Sequence, residues 1–314
     1  MILVAGSANL DFVVRAAHIP TPGETVLGQG FTTYPGGKGA NQAVACARAG
    51  GAATAMLLAL GDDADAHALP LLASLESARV RLHTVRYPDQ ATGCAFICVA
   101  DNAENAITVA PGANLCLQSQ HLPELQDVSH LLMQLEIPIT TVTAYAQRAQ
   151  ASGVQVVLNA APAQGLPPEL LQAVDMLVVN EGELRALVTH PGTVVAMLRQ
   201  LEVPTVVVTL GQRGCIARQQ DAYVLQPAFH ITPVDTTGAG DTFCGTLAAH
   251  LGRGETLARA VRTASAAAAL ACTASGAQSS IPTAMEVEAF LSQQPVVDQS
   301  QINALRGYCG LDAN

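Results

Sequence analysis

The chain has 314 residues, half of them hydrophobic and 13% charged, with a formal net charge of −10. This length fits one large α/β domain with an appendage and a sizeable core, and no apolar run approaches the ~18 uncharged residues of a spanning helix, so no membrane partner is expected. The acidic balance argues against nonspecific nucleic-acid binding, yet it leaves room for a local phosphate site, which needs only a few aimed donors.

The opening "MILVAGSANLD" has no basic n-region and reaches Asp11 early. It reads as a first buried strand, not a signal peptide. The near-continuous apolar runs "ILVAG" (2–6), "AMLLALG" (55–61), "HLLMQLE" (130–136), "VQVVLNA" (154–160), "DMLVVNE" (175–181) and "PTVVVTLG" (204–211) look like strands covered on both faces. Helical segments at 39–49, 63–77, 139–151 and 192–201 alternate with them. That rhythm predicts a doubly wound α/β fold with a mostly parallel central sheet flanked by helices. Residues 12–34 and 91–110 are β-like with no helix between, which predicts a small separate sheet lying over the main strands as a lid. So small a sheet leaves an apolar face for a substrate or another subunit to cover. The main domain is then 1–11, 35–90 and 111–293. From about 238 the chain turns helical, and the tail at 294–314 reads as peripheral.

The eight cysteines are scattered among apolar residues with no CxxC pair, as expected of small buried hydrophobes in a reducing cytoplasm. The eight histidines form no HExxH and are assigned no metal.

Three constellations carry chemistry. In "VDTTGAGDTFCG" (234–245), Gly238 and Gly240 flank Ala239 where a helix begins at about Asp241. Unpaired N–H groups and the positive dipole end make an anion site there. Asp241 reads either as a helix cap or as a general base beside an anion hole. In "GSANLD", Asn9 and Asp11 point the same way from an extended chain, toward sugar hydroxyls or as an Asx turn. The opening of a helix at "YPGGKGANQA" offers close backbone approach at Gly36, Gly37 and Gly39, then Asn41, and holds the chain's only lysine, Lys38. Neither a Walker A loop nor a strand-following GxGxxG is present. Further polar strand ends are Glu136, Asn180 with Glu183, and Thr209 with Gly211 and Gly214. Their gathering at carboxyl ends of parallel strands predicts one shared crevice.

These residues resemble the ribokinase family of carbohydrate kinases, the PfkB group, over about residues 1–293. The likeness rests on "PGGKGANQAVACARAG" and "DTTGAGDTF", with "LMQLE", "LNAAPA", "NEGE", "TLGQRG" and "GAQSSIP" in the family's order. The resemblance implies a ribokinase-like fold and an ATP-dependent kinase acting on the primary hydroxyl of D-ribose or a close pentose. It implies that Asn9, Asp11, Gly37, Lys38, Gly39, Asn41 and Glu136 bind or border the sugar. Asp241 matches the catalytic base, with 238–240 as the anion hole. Asn180 and Glu183 match the element that orders Mg²⁺ and phosphates, and Thr209 through Gly214 the nucleotide loop. Asp235, Thr237, Ala271, Ala274, Gly276 and Ser280 match an activating K⁺ site. Family lids often pair between subunits, which implies a homodimer through the lid. Two departures stand out: the segment between Asn180 and Thr209 is short, and a position near the adenine that often carries His or Asn is Ala264. Other acceptors (deoxyribose, a hexose, a nucleoside) and a noncatalytic sugar-binding protein on the same fold are the alternative readings. Few aromatic residues are available to wall a base, and Asp241 would be superfluous in a binder.

Overall fold

The computed structural model describes residues 1–102, 104–295 and 298–311. Residue 103 of the expected lid, and 296–297 and 312–314 of the expected tail, lie outside these. The first half of the chain runs β1 (Ile2–Ala5), β2 (Asn9–Ala16), β3 (Gly30–Gly36), α1 (Lys38–Arg48), β4 (Thr54–Leu60), α2 (Ala68–Ser77), β5 (Arg81–Arg86), β6 (Gly93–Ala100), β7 (Asn105–Ala110), β8 (His130–Met133), α3 (Ile139–Ala151) and β9 (Gln155–Asn159). The second half runs α4 (Pro168–Gln172), β10 (Met176–Asn180), α5 (Glu181–Leu187), α6 (Val194–Leu198), β11 (Thr205–Thr209), β12 (Gly214–Gln219) and β13 (Ala222–Pro227). It ends with α7 (Ala239–Gly252), α8 (Leu257–Ala271), α9 (Ala284–Gln293) and α10 (Gln299–Cys309).

The large sheet has nine strands in the order β13-β12-β11-β10-β9-β8-β1-β4-β5. All neighbours are parallel except β11–β12 and β12–β13. Strands such as Leu3–Ala5, Ala55–Leu60 and Val206–Val208 are buried throughout, which is why their sequences show no alternation. One face is covered by a core cluster that includes Val142, Tyr145, Leu184 and Leu198, the other by one that includes Val44, Leu71, Leu247 and Ala267. Burying each such Leu or Val contributes about 1.5–3 kcal/mol. Strand order reverses between β1 and β8, the kind of switch point near which open α/β sheets bind ligands.

A second sheet of four strands, β3-β2-β6-β7, stands apart from the first. It is mixed: β2 and β6 run parallel, the outer pairs antiparallel. Only Gly6–Ala8 separate β1 from β2, so the boundary expected after residue 11 falls inside β2, and that expected before 35 falls inside β3. The small sheet exposes Phe31 (66%) and Phe96 (54%), with Phe12 stacked against both.

Other expectations shift. The helix expected over 63–77 begins at Ala68, and that over 192–201 shrinks to α6. β5 and the antiparallel β12–β13 hairpin were not legible as main-sheet strands. The tail expected to be peripheral forms α10 and buries Leu305 and Cys309 in the core. Among the described residues no helix is long and apolar enough to cross a membrane.

Candidate active site

The site begins with two helices pressed together. Gly245 lies one turn along α7 from Asp241, and a Cβ there would overlap the Gln42 carbonyl and lie 2.6 Å from the Ala45 methyl of α1. The absent side chain lets α1 and α7 approach closely enough for side-chain amides of one to reach a carboxylate of the other. α7 itself starts at Ala239, two residues before the expected point. Its N-cap, Gly238, has a left-handed φ of 75°, and a Cβ there would lie 2.9 Å from the Ala277 carbonyl oxygen. Glycine is the residue that tolerates both demands.

Asp241 is 8% exposed, and each of its oxygens accepts a hydrogen bond from α1. Asn41 Nδ2 donates to Oδ2 at 2.9 Å, and Gln42 Nε2 to Oδ1 at 2.9 Å. The donors are fixed in turn. Gln42 Nε2 also donates to Asn159 Oδ1 (3.0 Å), while Gln134 Nε2 donates to Gln42 Oε1 (2.6 Å) and Gln278 Nε2 to Asn41 Oδ1 (3.0 Å). Buried amides need partners, so a lattice of this kind sets one geometry. Asn41, expected to meet a sugar, thus spends both ends of its amide inside the protein. Gln42, Gln134 and Asn159 were missed. Their signal was a polar residue inside an apolar run, at "NQAVACA", "LLMQL" and "VVLNA".

Lys38 opens α1, and its backbone N–H donates to Glu136 Oε2 at 3.1 Å, an oxygen that also accepts from Ser7 Oγ at 2.6 Å. The ammonium is held charged above its usual range by Asp241 first, then Glu136 and Glu183, against the opposing effect of burial. Asp11 has its carboxyl pushed up to about 7 by burial, reinforced by Glu136 and Asp241 and opposed by Lys38. Asn9 is buried, its Oδ1 accepting from Asn114 Nδ2 at 2.8 Å, while Asn114 Oδ1 takes the Ala8 N–H at 3.0 Å. Asn114, also missed, therefore pins the crossover between the two sheets.

A cavity of about 180 Å³ opens beside Asp241. Its walls carry Lys38, Asn180, Glu183, Thr209, Gly238 and Gly240 together with Asn159 and the Cys244 thiol. Strand ends β9, β10 and β11 thus converge on the N-terminus of α7. Of the expected anion-hole residues, Gly238 and Gly240 line the cavity. Ala239 does not line it, and its N–H donates to the Thr236 carbonyl at 3.3 Å. Gly37 and Gly39 do not line it, and the Gly39 N–H donates to Ser7 Oγ at 3.3 Å. Gly211 and Gly214 bound the turn beyond Thr209 without lining the cavity.

Asn180 and Glu183 form a capping box. Asn180 N–H donates to Glu183 Oε2 and Glu183 N–H to Asn180 Oδ1, both at 2.8 Å. Burial raises the Glu183 carboxyl above its usual range. The expected K⁺ residues fall on two stitched segments. Val234 and Asp235 donate N–H groups to the Cys272 carbonyl, and Asp235 accepts from Thr237 N (2.9 Å) and Gly276 N (3.0 Å). Ser280 Oγ is buried there without a hydrogen-bond partner. Ala271, Ala274, Gly276 and Thr237 can offer only backbone oxygens or a hydroxyl, which suits a monovalent ion. Ala264 is fully buried on α8 and brings no polar group to an adenine.

The pattern of the pfkB family carbohydrate kinases matches residues 1–284. The ribokinase of Haemophilus influenzae is 38% identical over 301 residues, covering 92% of this chain and 98% of that protein. Among solved structures, the Thermotoga maritima ribokinase has a TM-score of 0.82 at 35% identity, covering 93% of this chain and 99% of its own. The Arabidopsis thaliana ribokinase complexed with ribose and ATP has a TM-score of 0.83 at 30% identity, with the same coverage.

Proposed function

This chain belongs to the pfkB family of carbohydrate kinases and is a sugar kinase, and from that premise we propose that it transfers the γ-phosphoryl group of ATP to the primary hydroxyl of D-ribose. One observation carries the reading: a carboxylate oriented by two amides stands on the wall of the cavity that also holds a charged lysine and the glycine-flanked start of a helix.

Asp241 accepts the hydroxyl proton as the sugar oxygen bonds to the γ-phosphorus, and the bond from that phosphorus to the bridging oxygen of ADP breaks. Lys38 and the N–H groups of Gly238 and Gly240 face the charge on the transferring oxygens. Asn9 and Asp11, on one side of β2, meet the sugar hydroxyls, and Glu136 holds the start of α1 in place. Thr209, Asn180 and Glu183 receive the nucleotide phosphates, with the Gly211–Gly214 turn at their rim. Mg²⁺ would supply charge neutralisation at the nucleotide phosphates and would sit near Asn180 and Glu183. K⁺ fits the two stitched segments, where the partnerless Ser280 hydroxyl and backbone carbonyls would hold it and its charge would order the loop before α7.

The exposed aromatic face of the small sheet supports a homodimer through the lid, and eight free thiols support a reducing cytoplasm. ADP release is measured by a coupled assay over ribose, deoxyribose, hexoses and nucleosides with Mg²⁺, with and without K⁺. Ribose should give the highest kcat/KM and K⁺ should raise it. No turnover with any acceptor would sink the kinase reading.

A further inference from the structure

The family pattern stops at residue 284, and α10 lies beyond it. Even so, the helix is built into the fold. Leu305 and Cys309 join the core shared by Val195, Leu198 and Ile216. The left-handed C-cap Gly310 sits so close to Thr193, the N-cap of α6, that a Cβ there would lie 2.6 Å from Thr193 Cβ.

Tyr308 is where α10 meets the segments that follow the cavity residues Asn180 and Thr209. The Arg213 guanidinium lies over its ring, 4.2 Å from the centroid. Its hydroxyl donates to Glu181 Oε2 at 2.7 Å. Arg213 ends the turn that links Thr209 to Gly214, and Glu181 is the first residue of α5, directly after Asn180. The tail therefore grips two strand ends at once, those of β10 and β11. Both ends are otherwise lightly built: the β10 end leads into α5, of seven residues, and the β11 end into the three-residue turn Gly211–Arg213, too short to hold their own geometry without tertiary support.

We propose that α10 is a clamp on the nucleotide subsite, in which Tyr308, as a positioning residue, ties the 211–214 turn to the first turn of α5 and presets the rim that receives ATP. The inference rests on reading Thr209–Gly214 and Asn180–Glu183 as that subsite. A rim ordered before binding spares the nucleotide the cost of ordering it, and the gain falls on nucleotide affinity alone.

The test is calorimetric titration of ADP without sugar, with KM for ATP and for ribose measured in parallel on wild type, Tyr308→Ala and Tyr308→Phe. Tyr308→Ala should weaken ADP binding and raise the KM for ATP by about tenfold, from the lost stacking and the lost charged hydrogen bond. Tyr308→Phe keeps the ring and the packing and should cost about threefold. The KM for ribose should stay within about twofold in both. Unchanged ADP affinity in Tyr308→Phe and Tyr308→Ala, whether or not the melting temperature falls, would overturn the clamp, as would an equal rise in the ribose KM. If Tyr308→Ala does not fold, Tyr308→Phe decides alone. A wild type that binds ADP but turns over no sugar refutes the kinase reading and leaves this test intact. A wild type that binds no ADP refutes the subsite and the clamp together.

Discussion

The two ends of the cavity are built in opposite ways. At the carboxylate end, Asp241 is held by Asn41 and Gln42 across 200 and 199 residues of chain, and Gln42 is held in turn by Gln134. Asp241 and these amides are buried. At the end proposed for the nucleotide, Asn180 is exposed and pairs with Glu183 three residues on, Thr209 lines the cavity, and Gly211 has open space about it. Nonlocal buried hydrogen bonds fix a proton acceptor to one position, whereas local caps leave a rim that a large ligand can enter. The contrast predicts that damage at one end should strike kcat and damage at the other KM.

The largest effect should come from Asp241→Asn, which keeps the size of the side chain and removes the base. We expect kcat to fall by about 10³-fold or more while ribose affinity, measured by calorimetry, stays within a few fold. Parallel loss of binding would make Asp241 structural and collapse the distinction. Gln42→Leu removes one donor to the carboxylate and strands Gln134 and Asn159. A fall in kcat of about 10- to 100-fold with little change in the KM for ATP is expected; a pure KM effect would contradict the rigid-end picture. Asp11→Asn probes the charge held near the sugar. Native Asp11 keeps its proton to about pH 7, but the unfolded chain loses it near 3.8. The native state thus binds more protons between those values, and stability falls as pH rises from one to the other. The variant, having no such cost, should gain about 1–3 kcal/mol over wild type between pH 5 and pH 8 in chemical denaturation. A pH-independent difference would mean that the buried carboxyl does not titrate there. The smallest effect is expected from Asn180→Ala, which removes a cap worth about 1 kcal/mol and should raise the KM for ATP while sparing kcat.

Much of the sheet was legible because its strands are buried on both faces, so Leu3–Ala5 or Val206–Val208 show as unbroken apolar runs. β5 was not, since its residues are half exposed and include Arg81, His83 and Arg86. The β12–β13 hairpin mixes Cys215, Ile216 and Ala217 with Arg218 and Gln219, and its place is decided by pairing with β11. α10 escaped notice because only Leu305 and Cys309 are buried on an otherwise polar helix. In the site, Asp241, Lys38, Thr209, Asn180 and Glu183 line one cavity, whereas Asn9, Asp11 and Glu136, expected in the same crevice, do not line it. The bond from Asn41 to Asp241 was not legible, because an amide in the first turn of a helix looks free until its partner on α7 is known.

By itself, the sequence determined the α/β alternation, the separate small sheet and the set of motifs that meet at one end of the strands. Those follow from local patterns, apolar runs, glycines and polar strand ends, whose meaning does not depend on distant residues. Tertiary structure alone decided which amides hold Asp241 and that the tail reaches back through Tyr308 to Arg213 and Glu181. Each of these is a contact between segments far apart in the chain, set by how closely helices pack, and no local signal carries it.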